Sequence, residues 1–176
     1  MLFRSVSLQE IGCNEELKEE QSTIEENSLQ KAKYVFERYH VPCFADDSGL
    51  EIEALGGEPG VHSAYYSGSR DFDANIQLTL HKLSGKNQRK AQFKTVITLI
   101  TADTQQQFTG ILRGTIIHEK KGINGFGYDP IFVPDGLTKT LAELTLAEKN
   151  GISHRSVAVN ELQDRKSTRL NSSHLV

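Results

Sequence analysis

The chain has 176 residues, enough for one domain with a hydrophobic core and too few for two ordinary domains. Hydrophobic residues make up 37% and charged residues 24%, and the formal net charge of -3 gives no electrostatic footprint for duplex nucleic acid or an anionic membrane surface. No apolar run approaches the roughly 20 residues of a membrane span, and no signal-peptide pattern is present. We therefore expect a cytoplasmic protein, with Cys13 and Cys43 as reduced thiols outside any metal-like spacing.

The first predicted elements are a short strand over residues 6–11 and a helix over residues 23–39. Two overlapping Ser/Thr-x-x-Glu capping boxes open the helix and end in Glu25 and Glu26, while Pro42 stops it. An acid in a first turn, such as Glu26, is ordinarily a capping or dipole residue.

Two adjacent carboxylates lie at the end of an apolar run in residues 44–50. The pattern predicts a strand that ends near Asp46, followed by a turn at Ser48-Gly49. Successive strand residues point to opposite faces, so we expect that Asp46 and Asp47 do not face the same ligand. One of them would bind a metal or activate water and the other would be structural. The alternative is a plain Asx turn at a strand end.

In the middle of the chain, the sequence predicts a loop, then a helix, then two strands. Glycine and proline mark residues 56–70 as a loop, and Asp71 caps a helix with an apolar stripe over residues 72–83. β-Branched residues then predict two strands, at 93–100 and 108–117, which form a hairpin at the centre of a sheet.

A glycine-rich loop at residues 122–130 leads into a predicted strand at 131–133. Three glycines around two aromatics permit close backbone approach and leave a ring free to stack on a planar ligand. The spacing matches neither a P-loop nor a dinucleotide fingerprint. Residues 138–149 have helical spacing with a capping box at Thr145 and Glu148.

The last predicted helix starts around residues 152–155, with Val157 and Leu162 on its inner face. His154 and Arg155 fall in its first turn, where cations oppose the helix dipole, so an anionic or carbonyl-like group is expected nearby. The chain loses its hydrophobic period after Asp164 and is not expected to pack there.

Five motifs follow one another in unbroken order between roughly residues 6 and 160. They are Glu25-Glu26-Asn27; Ala45-Asp46-Asp47-Ser48-Gly49-Leu50; Gly56-Gly57-Glu58-Pro59-Gly60-Val61-His62-Ser63-Ala64; Gly125-Phe126-Gly127-Tyr128-Asp129-Pro130; and Ala142-Glu143-Leu144-Thr145 with Lys149 and Ser153-His154-Arg155. Together they resemble the inosine/xanthosine triphosphate pyrophosphatase family, which hydrolyses non-canonical purine nucleotides.

The resemblance implies an α/β fold with a long mixed central sheet flanked by helices in two lobes, as in ITPase-like and Maf-like proteins. It implies one such domain over residues 6–160, and we expect residues 1–5 and 161–176 to be non-native or disordered tails. It also implies a homodimer that uses Mg²⁺ to convert ITP, dITP or XTP to the monophosphate and pyrophosphate.

The resemblance further implies the roles of individual residues. Asp47 would be the proton acceptor and a magnesium ligand, and Glu26 would be the second carboxylate at the metal. Phe126 would stack on the purine. The substrate-binding set is Ser48, Phe126, Gly127, Tyr128, Asp129, Lys149, His154 and Arg155.

Two departures from the family pattern leave alternatives open. Family members typically begin with a strand and a Thr/Ser-x-Asn-x-x-Lys loop leading into a helix, and nothing before Val6 resembles them, so an N-terminally incomplete member without its first strand and helix is expected. Tyr65 stands where arginine is common, with Arg70 as a candidate substitute. The alternatives are a chain that binds nucleotide and metal without turnover, and a related pyrophosphatase acting on pyrimidine or modified nucleotides.

Overall fold

The structure, a computed structural model, describes residues 5–172 and the side chains of residues 5–164. Its strands are β1 (Cys43–Ile52), β2 (Pro59–Gly60), β3 (Lys90–Thr101), β4 (Thr104–Ile116) and β5 (Phe132–Pro134). Its α-helices are α1 (Ile24–Tyr39), α2 (Phe72–Lys82), α3 (Leu146–Ile152) and α4 (His154–Ser172). The expected α/β architecture, with helices around a central sheet, is confirmed.

The strands form one sheet in the order β2-β1-β3-β4-β5. The expectation of a mixed sheet is wrong for the described strands, because each neighbouring pair is antiparallel. Parallel neighbours need a long crossover, whereas β3 and β4 are joined by the tight turn at Ala102 and Asp103. The predicted central hairpin is thereby confirmed.

Side-chain caps start α1 and α2 where the sequence predicts them. The Thr23 hydroxyl accepts a hydrogen bond from the Glu26 amide at 3.2 Å, and the Asp71 carboxylate accepts one from the Ala74 amide at 3.0 Å. Each cap satisfies an amide that has no partner within its helix. Both helix starts are therefore fixed by local sequence.

Helices α1 and α4 pack on opposite faces of the sheet. On the α1 face, the Ser28 hydroxyl donates to the Ala45 carbonyl at 3.0 Å. On the other face, α4 contributes Ala158 and Leu162 to an apolar cluster with Ile97 and Phe108. The larger core lies between the sheet, α2 and the segments before α3, and its fully buried side chains include Leu50, Ile52, Ile76, Leu83, Ile116, Ile131 and Phe132.

Two predicted elements take different forms. Residues 6–11 form a 3-10 turn (Gln9–Ile11) instead of a strand, because Ser7 and Glu10 bond each other's backbone amides in a capping-box arrangement. The single helix predicted over residues 138–149 is divided into a 3-10 turn (Leu141–Glu143) and α3, because two successive capping boxes, at Thr140 and Thr145, each start a new segment.

The inner face of α4 differs by one residue from the prediction. Val157 is 38% exposed, and Ala158 is buried in its place beside Leu162. His154, Ala158 and Leu162 are spaced four residues apart, so they share the face that contacts the sheet.

The helix α4 extends the regular structure into the segment expected to be a tail, as far as Ser172. Its Arg, Lys, Leu and Gln residues have good helix propensity even without a hydrophobic period. The expectation for residues 1–4 and 173–176 lies outside the described residues. Between residues 5 and 172, no helix has the length and apolar character needed to cross a membrane.

Candidate active site

A cavity of about 1150 Å³ opens between β1, the glycine-rich loop and the start of α4. Of the residues predicted for the site, only Glu26 is not on its wall. The predicted residues that line it are Asp47, Ser48, Phe126, Gly127, Tyr128, Asp129, Lys149, His154 and Arg155. Residues distant in sequence therefore meet at one place.

Strand β1 runs straight through the two acids, and the predicted strand end near Asp46 and turn at Ser48-Gly49 are wrong. Each residue of β1 pairs with a residue of β3, which continues the strand to Ile52. A Cβ on Gly49 would lie 2.9 Å from the Gly60 carbonyl carbon and closer still to its oxygen. The glycine thus permits close approach of β2.

The two acids of β1 belong to one cavity although their side chains alternate. Asp46 pairs in register with Ile97, on the α4 side, and Asp47 with Val96, on the α1 side. Strand β2 pairs only with Leu50 and Glu51, so in the described residues the cavity reaches both faces around the outer edge of β1. The two side chains thus point to opposite faces, as strand alternation predicts, and the expectation that they do not face the same ligand stays a prediction.

Asp47 lies in a largely dehydrated position beside a lysine. Its side chain and that of Lys31 are each 11% exposed, and Lys31 Nζ lies 3.3 Å from Asp47 Oδ1. Lys31 Nζ also contacts Glu19 at 2.5 Å. Burial raises the pKa of the Asp47 carboxyl above its usual range, and the charge of Lys31 opposes that shift only in part.

Glu26 is part of the first turn of α1. Its Oε2 accepts hydrogen bonds from the hydroxyls of Ser22 at 3.1 Å and Thr23 at 3.0 Å, while its amide donates to the Thr23 hydroxyl that caps α1. No three or more His, Cys, Asp or Glu side chains in the described part of the chain are grouped so that they could hold a metal ion.

Asp46 supplies the anionic group expected beside the first turn of α4. Arg155 Nη2 donates to Asp46 Oδ2 at 2.9 Å and lies 3.4 Å from Ser48 Oγ. The pair is about half exposed, so its contribution to stability is small and its effect is to orient the guanidinium.

His154 is held against the sheet by a ring contact and a hydrogen bond. Its ring stacks on Phe93 with centroids 5.1 Å apart and planes 14° apart, and Nδ1 lies 2.5 Å from Thr95 Oγ1. Burial, reinforced by the positive charges of Arg155 and Lys149, lowers the pKa of His154 from 6.5 to about 4. The imidazole is therefore neutral at physiological pH.

The glycine-rich loop is organised by Asp129. This buried carboxylate accepts a hydrogen bond from the Phe126 amide at 2.8 Å and forms an ion pair with Lys149. Lys149 Nζ lies 4.5 Å from the centroid of the Phe126 ring, which is itself 62% exposed. Tyr128 instead faces the core and donates to the Ser63 carbonyl at 3.0 Å.

Arg70 occupies the cavity wall near the unusual Tyr65. Its guanidinium carbon lies 4.7 Å from the centroid of the Tyr65 ring, and its Nε donates to the Tyr65 hydroxyl. The other end of the group lies 4.0 Å from Glu16. Tyr65 therefore holds Arg70 at the cavity wall by these two contacts.

A family model described as the Ham1 family matches residues 1–165 of the chain. The chain belongs to the Ham1 family. It is 49% identical over 160 residues to the dITP/XTP pyrophosphatase of Christiangramia forsetii, covering 90% of this chain and 84% of the relative. It is 51% identical over 160 residues to the dITP/XTP pyrophosphatase of Flavobacterium johnsoniae, covering 90% and 83%.

Solved structures of Ham1 proteins have the same fold. The Staphylococcus aureus Ham1 protein superposes with a TM-score of 0.90 at 40% identity, over 93% of this chain and 86% of that one. A nucleoside-triphosphatase, dITP/XTP pyrophosphatase, from Mycobacterium abscessus superposes with a TM-score of 0.80 at 42% identity, over 89% and 82%.

Three residues of this Ham1 site were not selected from the sequence. Lys31 and Glu19 line the cavity, and Thr95 lies fully buried behind Ser48 and His154. Lys31 follows the buried Asn27 by four residues on α1, a spacing that places it at the edge of the packed face. The sequence carries no comparable signal for Thr95, which is one of several β-branched residues in β3.

Proposed function

We propose that this Ham1-family chain hydrolyses the non-canonical purine nucleoside triphosphates dITP, XTP and ITP to the monophosphate and pyrophosphate. The observation that carries the proposal is the cavity, which combines a buried acid at one end with an exposed aromatic ring and several cations at the other. The similarity of the chain to dITP/XTP pyrophosphatases, at 49% and 51% sequence identity, supports the same substrate class.

The residues present fit a divalent cation at Asp47. Asp47 Oδ2 is buried and has no hydrogen-bond partner in the described part of the chain, so a strong acceptor is left for a ligand. Mg²⁺ is usually bound by one or two carboxylates together with substrate phosphates and water, which does not require a cluster of three protein ligands. Asp47 would hold the ion, and Glu26 is proposed as the second carboxylate through Oε1, which the Ser22 and Thr23 hydroxyls do not use.

Asp47 would accept the proton of the attacking water. A carboxyl whose pKa is raised by burial is a stronger base than an exposed aspartate, and this supports the assignment. A bound Mg²⁺ would neutralise phosphate charge and lower the pKa of the water. Lys31 lies beside Asp47 and forms an ion pair with Glu19. When that ion pair opens, Lys31 would offer a positive charge to the phosphates.

The other end of the cavity would recognise the base. The exposed ring of Phe126 offers a stacking surface, Lys149 offers a donor beside that ring, and Arg155 offers one on the wall of the same cavity. A 6-keto purine presents an acceptor where adenine presents an amino donor, so donors here would leave adenine with an unpaired polar group. Ser48 and the backbone of Gly127 belong to the same wall.

A substrate panel tests the proposal. Purified protein with Mg²⁺ should release pyrophosphate from dITP and XTP and much less from dATP, dTTP and UTP. Binding of dITP without pyrophosphate release would instead support the binding-only alternative. Equal or faster turnover of dTTP or UTP would support the pyrimidine alternative.

We also propose that the active form is a homodimer. The family resemblance motivates this part of the proposal, and light scattering of the purified chain measures it directly. A monomeric mass at full activity would contradict it.

A further inference from the structure

A chain of hydroxyl groups connects the guanidinium of Arg155 to the imidazole of His154. Arg155 Nη2 lies 3.4 Å from Ser48 Oγ, Ser48 Oγ lies 2.7 Å from Thr95 Oγ1, and Thr95 Oγ1 lies 2.5 Å from His154 Nδ1. Thr95 has no exposed surface and does not line the cavity. Thr95 therefore contacts Ser48 and His154, which line the cavity, and cannot contact a ligand itself.

The direction of the hydrogen bonds in this chain follows from its two ends. A guanidinium can only donate, so Ser48 Oγ accepts from Arg155. Each hydroxyl has one proton, and the arrangement that uses both runs from Ser48 to Thr95 and from Thr95 to His154 Nδ1. The opposite arrangement would direct the Thr95 proton to Ser48 and leave the Ser48 proton without an acceptor in this chain. Nδ1 is then an acceptor, which requires the neutral imidazole to carry its proton on Nε2.

The second ring nitrogen is available to a ligand. Nε2 of His154 has no hydrogen-bond partner in the described part of the chain and is not among its buried unpaired atoms, while His154 lines the cavity. The low pKa of His154 keeps the ring neutral at physiological pH, so one ring nitrogen carries the proton and the other is an acceptor. A proton on Nε2 makes this position a donor to a keto oxygen and a poor partner for an amino group.

We propose that Thr95 is a specificity-determining positioning residue, which fixes the tautomer of His154 so that Nε2–H donates to a keto group of the nucleotide base. This inference deepens the proposed function and rests on it for the identity of the ligand. Thr95 itself acts only through His154 and Ser48.

The tautomer is measured directly by proton–nitrogen correlation spectra of the histidine side chains at neutral pH, with His154→Gln used to assign the signal. We expect an unprotonated Nδ1 and a protonated Nε2 in the wild-type protein. A protonated Nδ1 would overturn the proposal. This measurement requires no substrate, so the tautomer, and its dependence on Thr95 in the variants below, can be tested even if the chain hydrolyses neither dITP nor XTP.

Two variants separate the hydroxyl of Thr95 from its packing. Thr95→Val keeps the shape and removes the hydroxyl, so His154 should lose the single tautomer and the ratio of kcat/KM for dITP over dATP should fall by about tenfold. Thr95→Ser keeps the hydroxyl and should stay within about twofold of the wild-type ratio. An unchanged tautomer or ratio in Thr95→Val would overturn the proposal. A kcat/KM ratio lowered about tenfold in Thr95→Ser would also overturn the proposal.

Discussion

Asp47 holds an acidic side chain where little water reaches it. Its carboxylate has one oxygen near Lys31 and one oxygen without a partner, and burial raises its pKa. A buried group in this state is costly to the folded protein and useful to a reaction that needs a base or a cation ligand. The catalytic role proposed for Asp47 and its effect on stability can therefore be measured in the same variant.

Asp47→Asn should lower kcat/KM for dITP by about 100-fold or more, because an amide can neither accept the proton of water nor neutralise a cation. The melting temperature should stay the same or rise, because the substitution removes a buried charge and Lys31 keeps its contact with Glu19. Pyrophosphate release and thermal denaturation measure the two effects.

The matched control is Asp103→Asn, in the exposed turn between β3 and β4. It makes the same chemical change away from the cavity and should alter neither quantity. Asp47→Asn that keeps kcat/KM within about tenfold of wild type would remove Asp47 from the proposed role.

His154 should make stability depend on pH. Folding lowers its pKa from 6.5 to about 4, so between these values the unfolded chain binds a proton that the folded chain does not. The free energy of unfolding should therefore fall as the pH decreases from 6.5 towards 4, by on the order of 2 kcal/mol. Urea denaturation at several pH values measures this slope.

His154→Gln should remove that part of the slope, because glutamine does not titrate. The exposed His81 on α2 provides the comparison, and His81→Gln should leave the slope as it is in wild type. A His154→Gln protein with the wild-type pH dependence would assign the effect to other groups.

At the scale of elements, the first turn of α4 is held unusually close to β4. A Cβ on Gly110 would lie 2.6 Å from the Ala158 nitrogen and closer still to the His154 carbonyl oxygen. The close approach brings His154 within reach of Thr95 and places Arg155 beside Asp46. One glycine of a strand thus positions two cavity residues of a helix.

Gly110→Ala should move the start of α4 away from the sheet. We expect a loss of about 1–3 kcal/mol in stability, as for other overpacked positions, and a decrease in kcat/KM of at least about tenfold. Urea denaturation and pyrophosphate release measure these losses. Wild-type values for both would show that α4 does not depend on this contact.

Gly151→Ala is the control for the glycine-to-alanine change. A Cβ at Gly151 meets no atom within 4 Å, and the residue lies within α3. Alanine should be neutral there or stabilise the helix by about 0.5–1 kcal/mol, because it has the higher helix propensity. Activity should be unchanged.

Elements with local causes could be predicted from the sequence, and elements with distant causes could not. The caps at Thr23 and Asp71 are bonds within a few residues, so the starts of α1 and α2 were predicted correctly. The sequence predicts a turn at Gly49, but the residue lies in a strand. The reason for a glycine there is the close approach of Gly60, which depends on how β2 returns to β1. A glycine in a sequence does not reveal which of these two functions it has.

The same distinction applies to the site. Asp47, His154 and Phe126 belong to motifs that can be read along the chain, and the cavity brings them together. Lys31 and Thr95 became visible only when α1 was placed across β1 and α4 was placed against β3. Their partners are far away in sequence. The spacing on α1 places Lys31 at the edge of the packed face without showing that it meets Asp47, and no spacing points to Thr95.

At the scale of the whole molecule, the described core is built from apolar side chains. Both core clusters consist of apolar side chains from the sheet and its helices. Between residues 5 and 164, no three or more His, Cys, Asp or Glu side chains are grouped so that they could hold a metal ion. A cation in the proposed function would therefore act on the substrate and not on the fold.

Removal of divalent cations by EDTA should abolish pyrophosphate release and leave the melting temperature of the nucleotide-free protein within about 1 °C, since no metal binding would be coupled to folding. Activity should return when Mg²⁺ is added in excess. A decrease of the melting temperature by more than about 5 °C would reveal a structural metal.

The alternation along β1 has a consequence for how this gene can change. Asp46 contacts Arg155 of α4, and the next residue, Asp47, contacts Lys31 of α1 on the opposite face. Deletion or insertion of a single codon in this strand would exchange the two faces for every residue beyond it. The acid beside Lys31 would then point at Arg155, and Ser48 would leave Thr95. Loops of the molecule can change length by one residue at a time, whereas this strand can change only by substitution.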